Sequence, residues 1–159
     1  MNYFYDEESG RYVVHDARIY FANFSGVETD YNAAGRRNFK LDIPEEFARE
    51  LMEQNVRVSI RPPREDGDET SYSVKISIYP SSDVRLKSGK AMQKLEFDDF
   101  DRVDKEFRNG FVINGEIGIE FHVSENNRLK TPVTYLRLDT AVIPIRKSRL
   151  LEEYESEEE

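Results

Sequence analysis

Two adjacent cations, Arg36 and Arg37, close a polar stretch that also carries Phe24 and Tyr31. Cations neutralise phosphates and aromatic faces stack on unpaired bases, so this grouping is the chemistry of a single-stranded nucleic-acid groove. The same residues also fit a β-hairpin with a long loop and core aromatics, because most aromatic clusters serve packing. A second set extends the first. Lys40, Arg57, Arg61 and Lys75 fall at outward positions of three alternating segments, with Tyr79 beside them and Arg64 at the rim. If those segments are neighbours in a sheet, they merge into a basic stripe that attracts phosphate with a salt-dependent affinity. Phe24, Tyr31, Tyr72 or Tyr79 would then stack on bases, each worth roughly 1–3 kcal/mol. Outward residues are polar in any half-exposed sheet, so the stripe alone leaves both readings open.

The elements that must position these side chains are mostly strands. Residues 17–43 read as strand, turn-rich excursion, strand; in the second strand Phe39, Leu41 and Ile43 alternate with Asn38, Lys40 and Asp42. Pro44 opens a short helix, with Glu45 and Glu46 at the positive end of its dipole and Asn55 as its stop. Val56, Val58 and Ile60 are predicted to point inward from the next strand, which Pro62-Pro63 ends. The segment from Tyr72 to Tyr79 alternates with Val74, Ile76 and Ile78 inward. Short strands are expected over Val84–Lys87 and Gln93–Phe97, and the pattern over Phe100–Phe107 fits a helical turn or a strand. Two β segments around Asn114-Gly115 and a last strand from Val133 to Ile145 complete the chain.

Six to eight short strands with one short helix predict a mainly β fold: an OB-like small β-barrel with added hairpins. An antiparallel sandwich is the alternative architecture. The expected division is a flexible lead-in over residues 1–11, an OB-like β domain over 12–147 and a disordered acidic tail over 148–159.

The chain has 159 residues and a net charge of −9, which on its face argues against a nucleic-acid partner. Six of its 32 acidic residues lie in Leu150–Glu159, however, so the remainder is only mildly acidic and a basic patch must be local. A flexible polyanion tethered to a basic groove competes with DNA at high effective concentration. Glu152, Glu153, Tyr154, Glu155, Glu157, Glu158 and Glu159 are therefore candidates for contacting partner proteins once DNA displaces them. The chain has no cysteine, no long apolar run and no basic-then-apolar leader, so disulfides, a membrane span and a signal peptide are not expected. No Walker loop, nucleophile elbow or dinucleotide fingerprint occurs. His15 and His122 are far apart, and Asp98, Asp99, Asp101 and Asp104 form one local run, whereas a two-metal site draws carboxylates from separate strands. Neither catalysis, metal nor cofactor is expected.

The run FANFSGVETDYNAAGRRNF, followed by a strand, the Pro44-Glu45-Glu46 helix start and RPPREDGDE, resembles bacteriophage single-stranded-DNA-binding proteins of OB-fold type. The resemblance covers residues 17–80 and places Arg36, Arg37, Phe39 and Lys40 on the family's motif. It implies a protein that coats single-stranded DNA during replication or recombination in the cytoplasm of an infected bacterium. Replication or recombination proteins would be reached through the tail, and homo-oligomers are compatible with it. The tail is similar to those of phage and bacterial single-strand binders but ends in glutamate, with only Tyr154 near its end. The competing reading is an acidic interaction protein, such as a phage inhibitor of a host defence nuclease that acts as a DNA mimic.

Overall fold

The computed structural model describes residues 1–146 apart from Tyr31, Arg64, Asp66, Asp68, Leu129, Thr131 and Pro132. Ten strands and two α-helices follow in the order β1 (Asn2–Asp6), β2 (Arg11–Ala17), β3 (Ile19–Asn23), β4 (Asn38–Ile43), α1 (Glu45–Glu53), β5 (Ser59–Arg61), β6 (Ser71–Ser77), β7 (Asp83–Ser88), β8 (Ala91–Leu95), α2 (Asp101–Arg108), β9 (Ile117–Asn126) and β10 (Val133–Pro144). A 3-10 turn, Phe97–Asp99, leads into α2. The main path of the sheet is β1-β2-β9-β10-β6-β4-β3, with β5 on β6 and the β7–β8 hairpin on β10. The fold is thus mainly β, as the alternation predicts. The path leaves β1 and β3 as its two ends, so the sheet curves around one core without closing into a ring.

Alternation fills that core. Phe39, Leu41 and Ile43 of β4 point inward with Val74 and Ile76 of β6, and Ile117, Ile119 and Phe121 of β9 do the same. On β10 the inward set runs Leu136, Leu138, then Ala141 and Ile143, because a bulge after Leu138 shifts the parity by one residue. Helix α1 covers one flank of the core with Phe47, Ala48 and Leu51, all buried. The Phe47 ring lies against Tyr3 at 4.0 Å between centroids, and near Tyr12 at 5.2 Å.

Three expectations are corrected here, and one open pattern is resolved. The lead-in is largely structured: β1 pairs with β2 along five residues, and Tyr3 packs on Phe47. A second helix, α2, occupies the segment whose pattern was ambiguous, with Val103 as its buried residue. The stretch from Val56 to Arg61 is strand only over Ser59–Arg61, and Ile60 is 54% exposed instead of inward. Finally, Asn114-Gly115 is no hairpin turn. The Asn114 carboxamide accepts from the Ile19 N–H at 2.9 Å and donates to the Ile19 carbonyl at 2.8 Å. One side chain thereby pairs with the free edge of β3 as a neighbouring strand would.

Candidate nucleic-acid interface

Strand register, more than sequence proximity, assembles the site. Tyr20 on β3 pairs with Lys40 on β4, and Lys40 pairs with Lys75 on β6. All three lie on the outer face, because their neighbours Ile19, Leu41 and Ile76 are buried inside. Two lysines directly opposite each other repel, a pairing that weakens a sheet unless something anionic bridges it. Lys40 also donates to the Ser59 hydroxyl at 3.0 Å, which draws β5 to the same place. Burial, then the nearby Lys75 and Arg57 charges, pushes the Lys40 ammonium below its ordinary 10.5. No carboxylate lies within ion-pair distance of Lys40, Arg57, Arg61 or Lys75 among the described residues.

Beside this pair the surface sinks into a depression of about 500 Å³ whose lining includes Tyr20, Phe21, Lys40, Ser59, Ile60 and Arg61, with Asp42 as its one acid. Phe21 is 72% exposed, an unusual state for phenylalanine. Its φ of +51° lies in the left-handed region, which a bulky side chain adopts only when the surrounding structure over-determines it. The pairing of β3 with β4 is irregular between Tyr20 and Asn23, and that irregularity turns Phe21 outward. Its ring meets Tyr20 edge-on at 5.1 Å. An exposed ring beside unneutralised cations is what stacking on a base above a bound phosphate requires.

The predicted residues divide sharply. Lys40 pairs with Lys75, Arg57 lies near Lys40, and Arg61 lines the depression with Lys40. Phe24 is not an exposed ring: it is fully buried and stacked on Phe39 at 5.6 Å with planes 3° apart, so it cannot meet a base. The exposed aromatic is Phe21, three residues earlier, and its parity is set by a backbone irregularity that period-two reasoning does not register. Arg37 is likewise no free cation. Its guanidinium donates to the carbonyls of Phe24 and Phe97, both at 3.0 Å, and lies 3.8 Å from the Phe97 ring centroid. A Cβ at Gly26, where φ is +75°, would come within 3.2 Å of the Arg37 side chain, so glycine there admits the arginine. Arg36 is exposed beside it. Tyr79 stands at the end of β6, partly exposed, beneath Arg137. Tyr31, Arg64 and the tail residues Glu152, Glu153, Tyr154, Glu155, Glu157, Glu158 and Glu159 lie outside the described residues.

The acidic run also acquires a role. Asp104 accepts from the backbone N–H groups of Phe24 and Ser25, both at 2.9 Å, and so pins the start of the β3–β4 excursion to α2. Arg37 pins its end through the Phe24 and Phe97 carbonyls. A separate depression of about 510 Å³ lies over β2, β9, β10 and β7. Its polar lining is mixed (His15, Lys87, Glu116, Glu120) and contains no aromatic ring other than the imidazole, so it lacks the pairing of cation and exposed phenyl ring.

A family model described as "Putative phage ssDNA-binding domain" matches residues 6–108. The chain belongs to this phage family. Its outer-face cations Lys40, Arg57, Arg61 and Lys75, with Phe21, all fall inside the matched segment. No curated protein matches the chain. Among solved structures, this phage domain is similar to the single-stranded DNA-binding protein from bacteriophage Enc34, with 12% identity and a TM-score of 0.53 over 86% of this chain and 81% of that one. A C-terminal truncation of the Enc34 protein, and its complex with ssDNA, each align with a TM-score of 0.54 and 12% identity over 89% of both chains. At that identity the likeness is one of fold.

Proposed function

We propose that this phage domain binds single-stranded DNA on the outer face of β3, β4, β5 and β6, without catalysis. One observation carries the reading: Lys40 and Lys75 stand opposite each other with Arg57 nearby, and no carboxylate among the described residues lies within ion-pair distance of them. A bound phosphate resolves that repulsion, and the exposed Phe21 ring offers a base its stacking partner. Family membership and the fold shared with the Enc34 protein solved with ssDNA support it. In this reading the protein coats single strands during phage replication or recombination in the host cytoplasm. The glutamate-rich tail competes for the groove and, once displaced, recruits partner proteins.

Titration of a fluorescent oligothymidylate at low and high salt tests the reading, with the full chain and with residues 151–159 removed. Binding that weakens with salt and tightens on removal of the tail is expected. An oligonucleotide that stays free at low salt in both forms would overturn the function, and is the result a DNA mimic would give.

A further inference from the structure

The row of outer-face residues continues past Lys75. Strand β10 runs parallel to β6 with Leu136 beside Ile76 and Arg137 beside Ser77, so Tyr135 is level with Lys75 and Arg137 lies one step on. Leu136 and Leu138 are buried, which sends Tyr135 and Arg137 to the same outer face as Lys40 and Lys75. The Arg137 guanidinium lies over the Tyr79 ring at 3.9 Å, and Tyr79 and Tyr135 are 6.5 Å apart. Arg137 has no carboxylate within ion-pair distance among the described residues, and it donates to the Ser81 hydroxyl at 3.4 Å. The acids further along the face are already engaged: Asp139 meets His122 at 2.8 Å and Arg11 at 3.5 Å, and Glu120 meets Arg11 at 3.6 Å. The platform is also rigidly built. Ser82, 5% exposed, accepts from the Tyr79 N–H at 3.0 Å and donates to the Leu138 carbonyl at 2.7 Å, fixing Tyr79 against β10.

We infer that Tyr79, Tyr135 and Arg137 form a second subsite for one nucleobase and one phosphate of the same single strand. The DNA then crosses the sheet from Phe21 on β3, over Lys40 and Lys75, to Tyr135 on β10. Arg137, braced on Tyr79, takes the phosphate, and the Tyr135 ring stacks on the base. The polar neighbours Ser124, Tyr79 and Arg137 hold the Tyr135 phenol below its ordinary value. With strands about 4.8 Å apart, the row from Tyr20 to Tyr135 spans about 14 Å across four strands. A span of that size takes about two or three nucleotides of an extended strand, so the row forms the centre of the longer path that an OB-type domain covers.

The subsite rests on the proposed function, and the test separates the two. Affinity for an oligothymidylate of about twelve nucleotides, within the range covered by one such domain, is measured across a salt series. The proteins compared are the unaltered full chain, Arg137→Gln, Tyr135→Leu and Tyr135→Phe, with thermal melts showing each to be folded. Arg137→Gln should weaken binding about tenfold and make the dependence of log affinity on log salt shallower by about 0.7, the loss of one phosphate contact. Tyr135→Leu should weaken it by a similar factor with the salt slope unchanged, while Tyr135→Phe, which keeps the ring, should bind as the unaltered chain does. Unaltered affinity and slope in both Arg137→Gln and Tyr135→Leu would overturn the subsite alone, as would equal loss in Tyr135→Leu and Tyr135→Phe. Failure of the unaltered chain to bind would overturn the function and the subsite together.

Discussion

Lys40 and Lys75 face each other directly across β4 and β6, two ammonium groups paired where a sheet would ordinarily place a neutral or opposite-charge partner. That arrangement costs the free protein stability and suits it to an anion. Lys75→Gln should therefore raise the melting temperature of the free protein, by an amount equivalent to roughly 0.2–1 kcal/mol. The same change should weaken oligothymidylate binding and flatten its salt slope by about 0.7. Calorimetry and anisotropy titration on one sample check both; a melting point that falls would show that the pair is not repulsive.

Phe21 and Phe24 should separate function from stability. Phe21→Ala removes an exposed ring and should cost DNA affinity about 1–3 kcal/mol with little change in folding. Phe24→Ala empties a fully buried position stacked on Phe39 and should destabilise the fold by roughly 3–5 kcal/mol. Chemical denaturation alongside DNA titration distinguishes them, and equal effects of the two changes on affinity would contradict the assignment.

Arg36 and Arg37, adjacent in the chain, should differ just as clearly. Arg37→Ala strips donors from the Phe24 and Phe97 carbonyls and a cation from the Phe97 ring, so a loss of roughly 1–3 kcal/mol of stability is expected. Arg36→Ala should leave the melting point unchanged. Reversing both charges at once would damage the fold through Arg37, so it could not serve as a test of binding alone. Asp104→Asn should resemble Arg37→Ala, because an amide cannot accept from both the Phe24 and Ser25 N–H groups through two oxygens. Hydrogen exchange at residues 24 and 25 reads this loosening directly.

Lys40 sets an alkaline limit. Its folded value is held below 10.5, so between the two values the unfolded chain binds more protons than the folded one, and this group's contribution to stability rises with pH. A phosphate beside it restores the charged form, so binding takes up a proton and must weaken as pH rises towards 10.5. Lys40→Arg, which stays charged, should abolish that pH dependence. Affinity measured at fixed ionic strength from neutral to alkaline pH decides it; a loss of equal size in the arginine variant would point to another group.

How far the chain could be read without its structure follows from where the backbone is regular. In β4 and β6 the period of two runs unbroken, and the inward and outward sets, including Lys40 and Lys75, came out as expected. At Phe21 a positive φ and an irregular pairing reverse the parity, so the wrong phenylalanine was expected at the surface. Arg37 was misread for another reason. Its partners are carbonyls 13 and 60 residues away, and nothing in the local pattern marks an arginine that will be spent on backbone. Asn114 escaped similarly, since Asn-Gly is a strong turn signal and its pairing with Ile19 depends on a strand 95 residues distant. The Tyr135–Arg137 pair lies outside the segment the motif covers, and parallel register with β6 is what reveals it.

The strand order has a practical consequence for anyone trimming this protein. The segment matched by the family stops at residue 108, yet β2 and β6 are joined through β9 and β10, which come later. A fragment cut at that boundary would keep nearly every recognisable motif and lose the middle of the sheet. The part of the chain that can be identified is thus smaller than the part that can stand by itself.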